Sequence, residues 1–91
     1  MKLTKRSIDA LEVKDKDYFA WDDELSGFGI WVFPSGRKQF VVQYRVGKLS
    51  RRMTLGRYGA IVPDQARKLA MEIIVEVNGG TDPLAERQER R

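Results

Sequence analysis

Residues 28–55 alternate apolar and polar side chains with a period of two, and two tight turns interrupt the alternation. A period of two is typical of strands that bury one face. Pro34-Ser35-Gly36 suits a turn because proline presets φ and glycine accepts positive φ, and Gly47-Lys48 follows as a second turn. Such short loops join neighbouring antiparallel strands. The sequence therefore predicts a three-stranded antiparallel meander over residues 28–33, 39–46 and 50–55.

The segments on either side of the meander add helices. Pro63 is expected to begin a helix that runs to about Asn78, because the first helical position needs no N–H. Thr4 is the predicted N-cap of a short N-terminal helix, and residues 18–22 are typical of an edge strand. The predicted fold is α+β, a three-stranded antiparallel sheet with allowance for a short fourth edge strand and with the main helix on one face. The apolar stripe of that helix comprises Ala66, Leu69, Ala70, Ile73, Ile74 and Val77.

The alternation divides the predicted sheet into two faces. We expect the main helix to cover the apolar face and to leave the other, the open face, to solvent. The apolar face carries Phe28, Ile30, Val32, Phe40, Val42, Tyr44, Val46, Met53 and Leu55. The open face carries Trp31, Phe33, Gln39, Val41, Gln43, Arg45, Ser50, Arg52 and Thr54.

Charge is distributed unevenly along the chain. Between Glu24 and Asp64 there is no acidic residue, and both flanks are close to neutral, so the net charge of +4 arises in this middle segment. A cationic sheet without carboxylates is suited to binding a polyanion. The alternative is a solvated basic face that only keeps the domain soluble. The seven basic residues of the segment are Arg37, Lys38, Arg45, Lys48, Arg51, Arg52 and Arg57.

The open face combines amide, guanidinium and hydroxyl groups, which can hydrogen-bond to base edges when a sheet enters the major groove of DNA. The predicted base contacts are central on this face: Gln43, Arg45, Arg52 and Thr54. The predicted phosphate contacts at its rim are Arg37, Lys38, Lys48 and Arg51, and the last three of these are expected at turns. Arg57 is a further predicted DNA contact.

Trp31 and Phe33 allow three interpretations. They could stack on unpaired bases, contact another protein, or be covered by residues 18–21 or the N-terminal helix. The covering interpretation is favoured over base stacking.

Composition excludes several kinds of site. The chain has no cysteine and no histidine, which excludes disulfides, thiolate metal sites and histidine acid–base chemistry. The adjacent acids Asp22-Asp23-Glu24 are typical of a solvated loop. Gly27-Phe28-Gly29 lacks the lysine and following helix of a phosphate loop and indicates a bulge or close packing. We expect no cofactor, no metal, no small-molecule substrate and no membrane partner, and a cytoplasmic location.

The last residues have the pattern of a further helix. Thr81-Asp82-Pro83 is typical of a helix start, and polar residues follow to Arg91 without a stop signal. We therefore expect residues 1–80 to form the binding domain and residues 81–91 to begin a helical linker within a longer protein.

A succession of segments covers nearly the whole chain: Leu3-Thr4 with Ile8-Asp9-Ala10-Leu11, Trp21-Asp22-Asp23-Glu24-Leu25-Ser26-Gly27-Phe28-Gly29, Pro34-Ser35-Gly36-Arg37-Lys38, Gln43-Tyr44-Arg45, Arg51-Arg52-Met53-Thr54-Leu55-Gly56-Arg57-Tyr58, Ala66-Arg67 and Gly80-Thr81-Asp82-Pro83. In this order they resemble the N-terminal arm-type DNA-binding domain of phage and genomic-island integrases, which are tyrosine recombinases. Trp31 and Phe33 depart from the resemblance, since the family tends to have more polar residues there.

The resemblance implies a non-catalytic domain that binds duplex DNA at arm sites and helps to arrange integrase protomers on bent DNA. It also implies a parent protein that continues into a core-binding domain and a catalytic domain with a tyrosine nucleophile. Two alternatives stay open at this point. One is a protein-interaction module that uses Trp31 and Phe33, and the other is RNA or single-strand binding through the same aromatics.

Overall fold

The computed structural model describes residues 1–80 and shows a four-stranded antiparallel sheet with two helices. The strands are β1 (Tyr18–Trp21), β2 (Phe28–Val32), β3 (Lys38–Val46) and β4 (Leu49–Arg57), and the helices are α1 (Lys5–Asp9) and α2 (Pro63–Asn78). The strand order is β1-β2-β3-β4, so each strand lies beside its neighbour in sequence. The predicted α+β fold is confirmed, including the short edge strand. The linker predicted for residues 81–91 lies outside the described residues.

Local chemistry accounts for the ends of these elements. Thr4 caps α1 through a capping box, in which its hydroxyl accepts from the Ser7 N–H and the Ser7 hydroxyl accepts from the Thr4 N–H. Pro63 occupies the first turn of α2, as predicted. The turn between β2 and β3 needs Gly36, whose φ of 92° is left-handed. Sequence signals therefore determine where the elements begin and turn.

The core lies between the sheet and α2, which packs on β3 and β4. Phe28 and Phe40 are fully buried and stack with ring centroids 5.9 Å apart. Ala66, Ala70 and Ile73 present the buried side of α2. The chain before β1 also contributes, since Leu3 and Ile8 are fully buried in the same cluster. The predicted assignment of the two faces of the sheet is confirmed. Leu69, which was predicted in the apolar stripe of α2, is instead exposed to solvent.

A β-bulge in β4 changes the alternation near its end. Val41 pairs with Thr54 and Phe40 pairs with Gly56, so Leu55 is an extra residue in the ladder. After the bulge, Arg57 pairs with Gln39. Because Gln39 lies on the open face, the bulge places Arg57 on that face too.

Asp22 corrects the prediction of a solvated acidic loop. Its carboxylate is buried and accepts hydrogen bonds from the two terminal guanidinium nitrogens of Arg67, at 2.9 and 2.7 Å. Asp23 and Glu24, in contrast, are exposed. Backbone N–H groups of Leu3 and Leu25 donate to the Asp22 carboxylate, each at 2.7 Å. Asp22 therefore ties the N-terminal segment, the β1–β2 loop and α2 together.

The pKa of Asp22 lies well below its usual range. Burial has the largest single effect and raises it. The hydrogen bonds from Arg67, Leu3 and Leu25, together with the positive charge of Arg67, outweigh that effect. The carboxylate is therefore held in its charged form.

Candidate nucleic-acid interface

The four residues predicted to contact bases all lie exposed on the open face, opposite α2. Gln43 of β3 pairs directly with Arg52 of β4, while Val41 pairs with Thr54 and Arg45 pairs with Ser50. The side chains of Gln43, Arg45, Arg52 and Thr54 are exposed. The structure therefore brings the predicted set together on two adjacent strands.

Carboxylates of residues 1–80 form no ion pair with the arginines at the centre of this surface. The ion pairs of that part of the chain join Asp22 to Arg67, Glu24 to Lys2 and Asp23 to the amino terminus. Arg45, Lys48, Arg52 and Arg57 take part in none of them. The positive charge of the face is therefore available to an external anion.

The residues predicted at the rim divide into two groups. Arg37 and Lys48 are exposed in the two turns, and Arg57 is exposed at the end of β4. Lys38 and Arg51 are strand residues rather than turn residues, and their pairing partners Val32 and Tyr44 belong to the core face. Lys38 donates from Nζ to the Ile8 carbonyl at 3.0 Å, at the end of α1. Both residues therefore face the helical side of the sheet.

An aromatic stripe, formed by Trp21, Phe19, Trp31 and Phe33, occupies the other half of the open face. Successive ring centroids along it lie 5.4, 5.0 and 4.6 Å apart. Phe19 of β1 pairs with Trp31 and stacks on it, and Trp31 remains half-buried. Trp21 keeps 40% of its surface exposed at the end of the stripe.

Phe19 and Trp21 also lie on this face, although they were not predicted as members of it. The signal was present, because the alternation in residues 18–21 places both of them on the side opposite Tyr18 and Ala20, which pack against the core. Val41, predicted on the open face, is fully buried there although it lies outside the core cluster. The open face is therefore half aromatic and half cationic.

A shallow groove of about 730 Å³ runs along one end of the open face. Its lining includes Trp21, Gln43, Arg45 and Ser50. The indole of Trp21 lies flat over Gly29, where an added Cβ would come within 2.5 Å of the ring. The close packing predicted for the Gly27–Gly29 segment is therefore present, and it shapes one wall of the groove.

Comparison with known proteins agrees with this geometry. The family model described as the Arm DNA-binding domain matches residues 3–90. This chain belongs to that family. The arm domain is thus a DNA-binding domain, and DNA is its partner class.

Full-length relatives of the arm domain are integrases. It is 28% identical over 89 residues to the prophage integrase IntZ of Escherichia coli (strain K12), covering 98% of this chain and 22% of that protein. It is also 28% identical over 82 residues to the integrase of Shigella phage Sf6 and to the prophage integrase IntS of Escherichia coli (strain K12), covering 90% of this chain and 21% of each. The arm domain spans about a fifth of the length of these relatives.

Among residues 1–80, no cluster of three or more acidic, histidine or cysteine side chains is arranged to hold a metal ion. Neither helix in that part of the chain is long and apolar enough to cross a membrane.

Proposed function

We propose that the arm domain binds double-stranded DNA sequence-specifically at the arm sites of an integrase, with its open face in the major groove. The observation that carries this proposal is the exposed set of Gln43, Arg45, Arg52 and Thr54, which lies opposite α2 and whose two arginines form no ion pair within residues 1–80. Family membership supports DNA as the partner. No catalytic role is proposed for the domain itself.

Geometry favours the major groove over other modes of contact. A strand pair fits that groove, and it presents side chains of one face to base edges. Arginine can donate two hydrogen bonds to guanine, and glutamine can make two with adenine. Arg52 and Gln43 are directly opposite each other, so together they span neighbouring base pairs.

Phosphate contacts are proposed for the cationic residues that surround this centre. Arg37, Lys48 and Arg57 are exposed at the turns and at the strand end. For Lys38 and Arg51, phosphate contacts are proposed only from the helical side of the sheet.

The parent protein is proposed to be a tyrosine recombinase that acts on DNA in the bacterial cytoplasm. The integrase relatives and the share of their length that the domain covers support this. Arm-site binding would then help to arrange several protomers on bent DNA during integration and excision.

The aromatic stripe favours a second candidate, a protein-interaction module. Its end at Trp21 is exposed, and Trp31 and Phe33 are each only half-buried. In that case duplex binding would not depend on the central residues of the open face, which separates the two candidates.

A comparison of Arg45→Ala with Lys48→Ala tests the main proposal. Both are exposed cations of the β3–β4 hairpin, but Arg45 lies on the open face and Lys48 lies in the turn. A duplex enriched from a random pool by the wild-type domain and a scrambled duplex serve as probes, titrated by fluorescence anisotropy at several salt concentrations. Arg45→Ala should remove about 1–3 kcal/mol of discrimination between the two duplexes.

Lys48→Ala should instead weaken binding of both duplexes about equally and reduce the salt slope by about one. Identical behaviour of the two variants would show that the sheet is only an electrostatic patch. Sequence choice would then belong to another part of the integrase.

A further inference from the structure

Arg52, a central residue of the open face, makes cation–π contacts with the aromatic stripe. Its guanidinium carbon lies 4.4 Å from the ring centroid of Phe19 and 5.8 Å from that of Trp31. Both distances are within the range of cation–π attraction. The side chain of Arg52 therefore reaches from the outer strand β4 across the face to the aromatics of β1 and β2.

The platform beneath this guanidinium is itself fixed. Phe19 stacks on Trp31 with centroids 5.0 Å apart and an interplanar angle of 24°, and it also stacks on Trp21. The indole N–H of Trp31 donates to the Asp17 carboxylate at 2.7 Å, which sets the orientation of that ring. A guanidinium stacked here meets rings that hold their positions before any ligand arrives.

Stacking leaves the hydrogen-bonding groups of arginine accessible. The five N–H donors of a guanidinium lie in its plane and point outward from its edge, so a ring that contacts the flat face leaves them accessible. An arginine immobilised in this way has already lost much of the side-chain freedom that binding would otherwise remove. The contact therefore prepares Arg52 for binding without using its donors.

We propose that Phe19 and Trp31 are positioning residues that hold Arg52 ready to donate a pair of hydrogen bonds to a guanine edge. Arg52 then sets the strongest base preference of the site, whereas Arg45 has no ring contact within residues 1–80. This inference rests on the proposed sequence-specific binding of duplex DNA. It assigns a role to the two aromatics that departs from a simple covering function.

The test compares Phe19→Leu with Phe33→Leu. Both changes remove one ring of the aromatic stripe and keep an apolar side chain, but the cation over Phe33 is Arg37, at 4.9 Å, in a turn. The probes are the duplex enriched by the wild-type domain and its scrambled counterpart. Phe19→Leu should lower the affinity ratio between them about fivefold with an unchanged salt slope, and Phe33→Leu should leave the ratio near that of wild type.

Arg52→Lys shows whether the effect passes through the guanidinium. It keeps the charge, loses the planar fork, and should lower the same ratio about tenfold. Combining it with Phe19→Leu should cause no further loss, since the ring acts on the guanidinium alone. Additive losses, or equal losses in Phe19→Leu and Phe33→Leu, would overturn the inference.

A measurement on the unaltered chain covers the case in which Phe19→Leu does not fold. The δ-protons of Arg52 should show upfield ring-current shifts in the NMR spectrum of the free domain and retain them when the enriched duplex is bound. Unshifted resonances would overturn the inference while leaving duplex binding intact. A pool from which the wild-type domain enriches no sequence would overturn the proposed function as well.

Discussion

Asp22 shows how one side chain connects three parts of the molecule. A buried carboxylate is unfavourable unless charge and hydrogen bonds compensate it, and here Arg67 and backbone N–H groups do so. Removing the carboxylate would leave the Arg67 guanidinium, itself partly buried, without its partner. The pair therefore matters to stability more than any ion pair on the surface of residues 1–80.

Asp22→Asn should lower the free energy of unfolding at pH 7 by about 3 kcal/mol. The pKa of Asp22 is lower in the folded domain than in the unfolded chain, so its stabilising contribution is present above about pH 4 and is lost as the pH falls further. Urea unfolding at pH 7 and pH 3 measures both effects. Asp15→Asn, at an exposed acid in the loop before β1, is the control and should resemble wild type.

The variant should therefore lose less stability than wild type between pH 7 and pH 3. An equal loss in both proteins would show that other groups cause the acid sensitivity.

The contribution of Tyr58 to stability has the opposite pH dependence from that of Asp22, because it is lost as the pH rises. Its hydroxyl donates to the Asp9 carboxylate at 2.7 Å, and burial together with that acceptor raises the pKa of Tyr58 to about 12. Because the pKa is raised on folding, this contribution is complete below about pH 10 and is lost as the pH rises toward 12.

Tyr58→Phe should therefore flatten the alkaline limb of a plot of unfolding free energy against pH. A Tyr18→Phe variant, at a tyrosine that donates to the backbone carbonyl of Glu12, serves as the comparison. If both variants keep the wild-type limb, the Tyr58–Asp9 contact has no part in alkaline stability.

At the scale of elements, the packing of α2 on the sheet depends on alanines and one large side chain. Ala66 and Ala70 have no exposed surface, while Ile73 fills the space nearer the helix end. Ile73→Ala should lower the free energy of unfolding by about 2–4 kcal/mol, because the small core cannot refill the cavity. Val75→Ala, at a side chain that is 68% exposed, should change it by less than about 0.5 kcal/mol.

Urea unfolding of both variants at pH 7 checks this comparison. A cost for Val75→Ala that matched the cost for Ile73→Ala would mean that the outer side of α2 is covered in solution.

The periodicity of the sequence was sufficient to predict the strands, the main helix and the two faces of the sheet. It was insufficient where a tertiary contact decides the outcome. Asp22 is chemically like Asp23, and only the position of Arg67, forty-five residues away, separates the buried acid from the exposed one. Leu55 lies at a bulge that strict alternation cannot show.

The sequence predicted part of the candidate site as well. The central set was correctly placed on one face because it lies between clear turns, whereas Lys38 and Arg51 were assigned to turns although they lie within strands. The contact of Arg52 with the aromatic stripe joins β4 to β1 across the sheet. No pattern within either strand carries that information.

At the scale of the whole molecule, cations of the open face should contribute to the salt dependence of duplex binding, and cations on the outer side of α2 should not. If about four or five phosphates are neutralised, the logarithm of the duplex-binding constant should fall against the logarithm of salt concentration with a slope of roughly −4. Fluorescence anisotropy titrations at salt concentrations from about 50 to about 200 mM measure this slope. A flat response would contradict an interface built on phosphate contacts.

Lys68→Gln supplies the control for that slope, because Lys68 is exposed on α2, opposite the open face. The variant should keep the wild-type slope. A slope reduced by about one would mean that the helical side of the molecule also meets the DNA.

The arginines of β4 have a consequence for self-association. Within residues 1–80, β4 pairs with β3 alone, so this nine-residue strand forms one edge of the described sheet. Such an edge is a template for joining another sheet unless charge or brevity prevents it. The positive charges of Arg52 and Arg57 on β4 make two copies of the edge repel each other, while the opposite edge, β1, has only four residues. A variant neutralised at both arginines would therefore be prone to edge-to-edge aggregation as well as to weaker DNA binding.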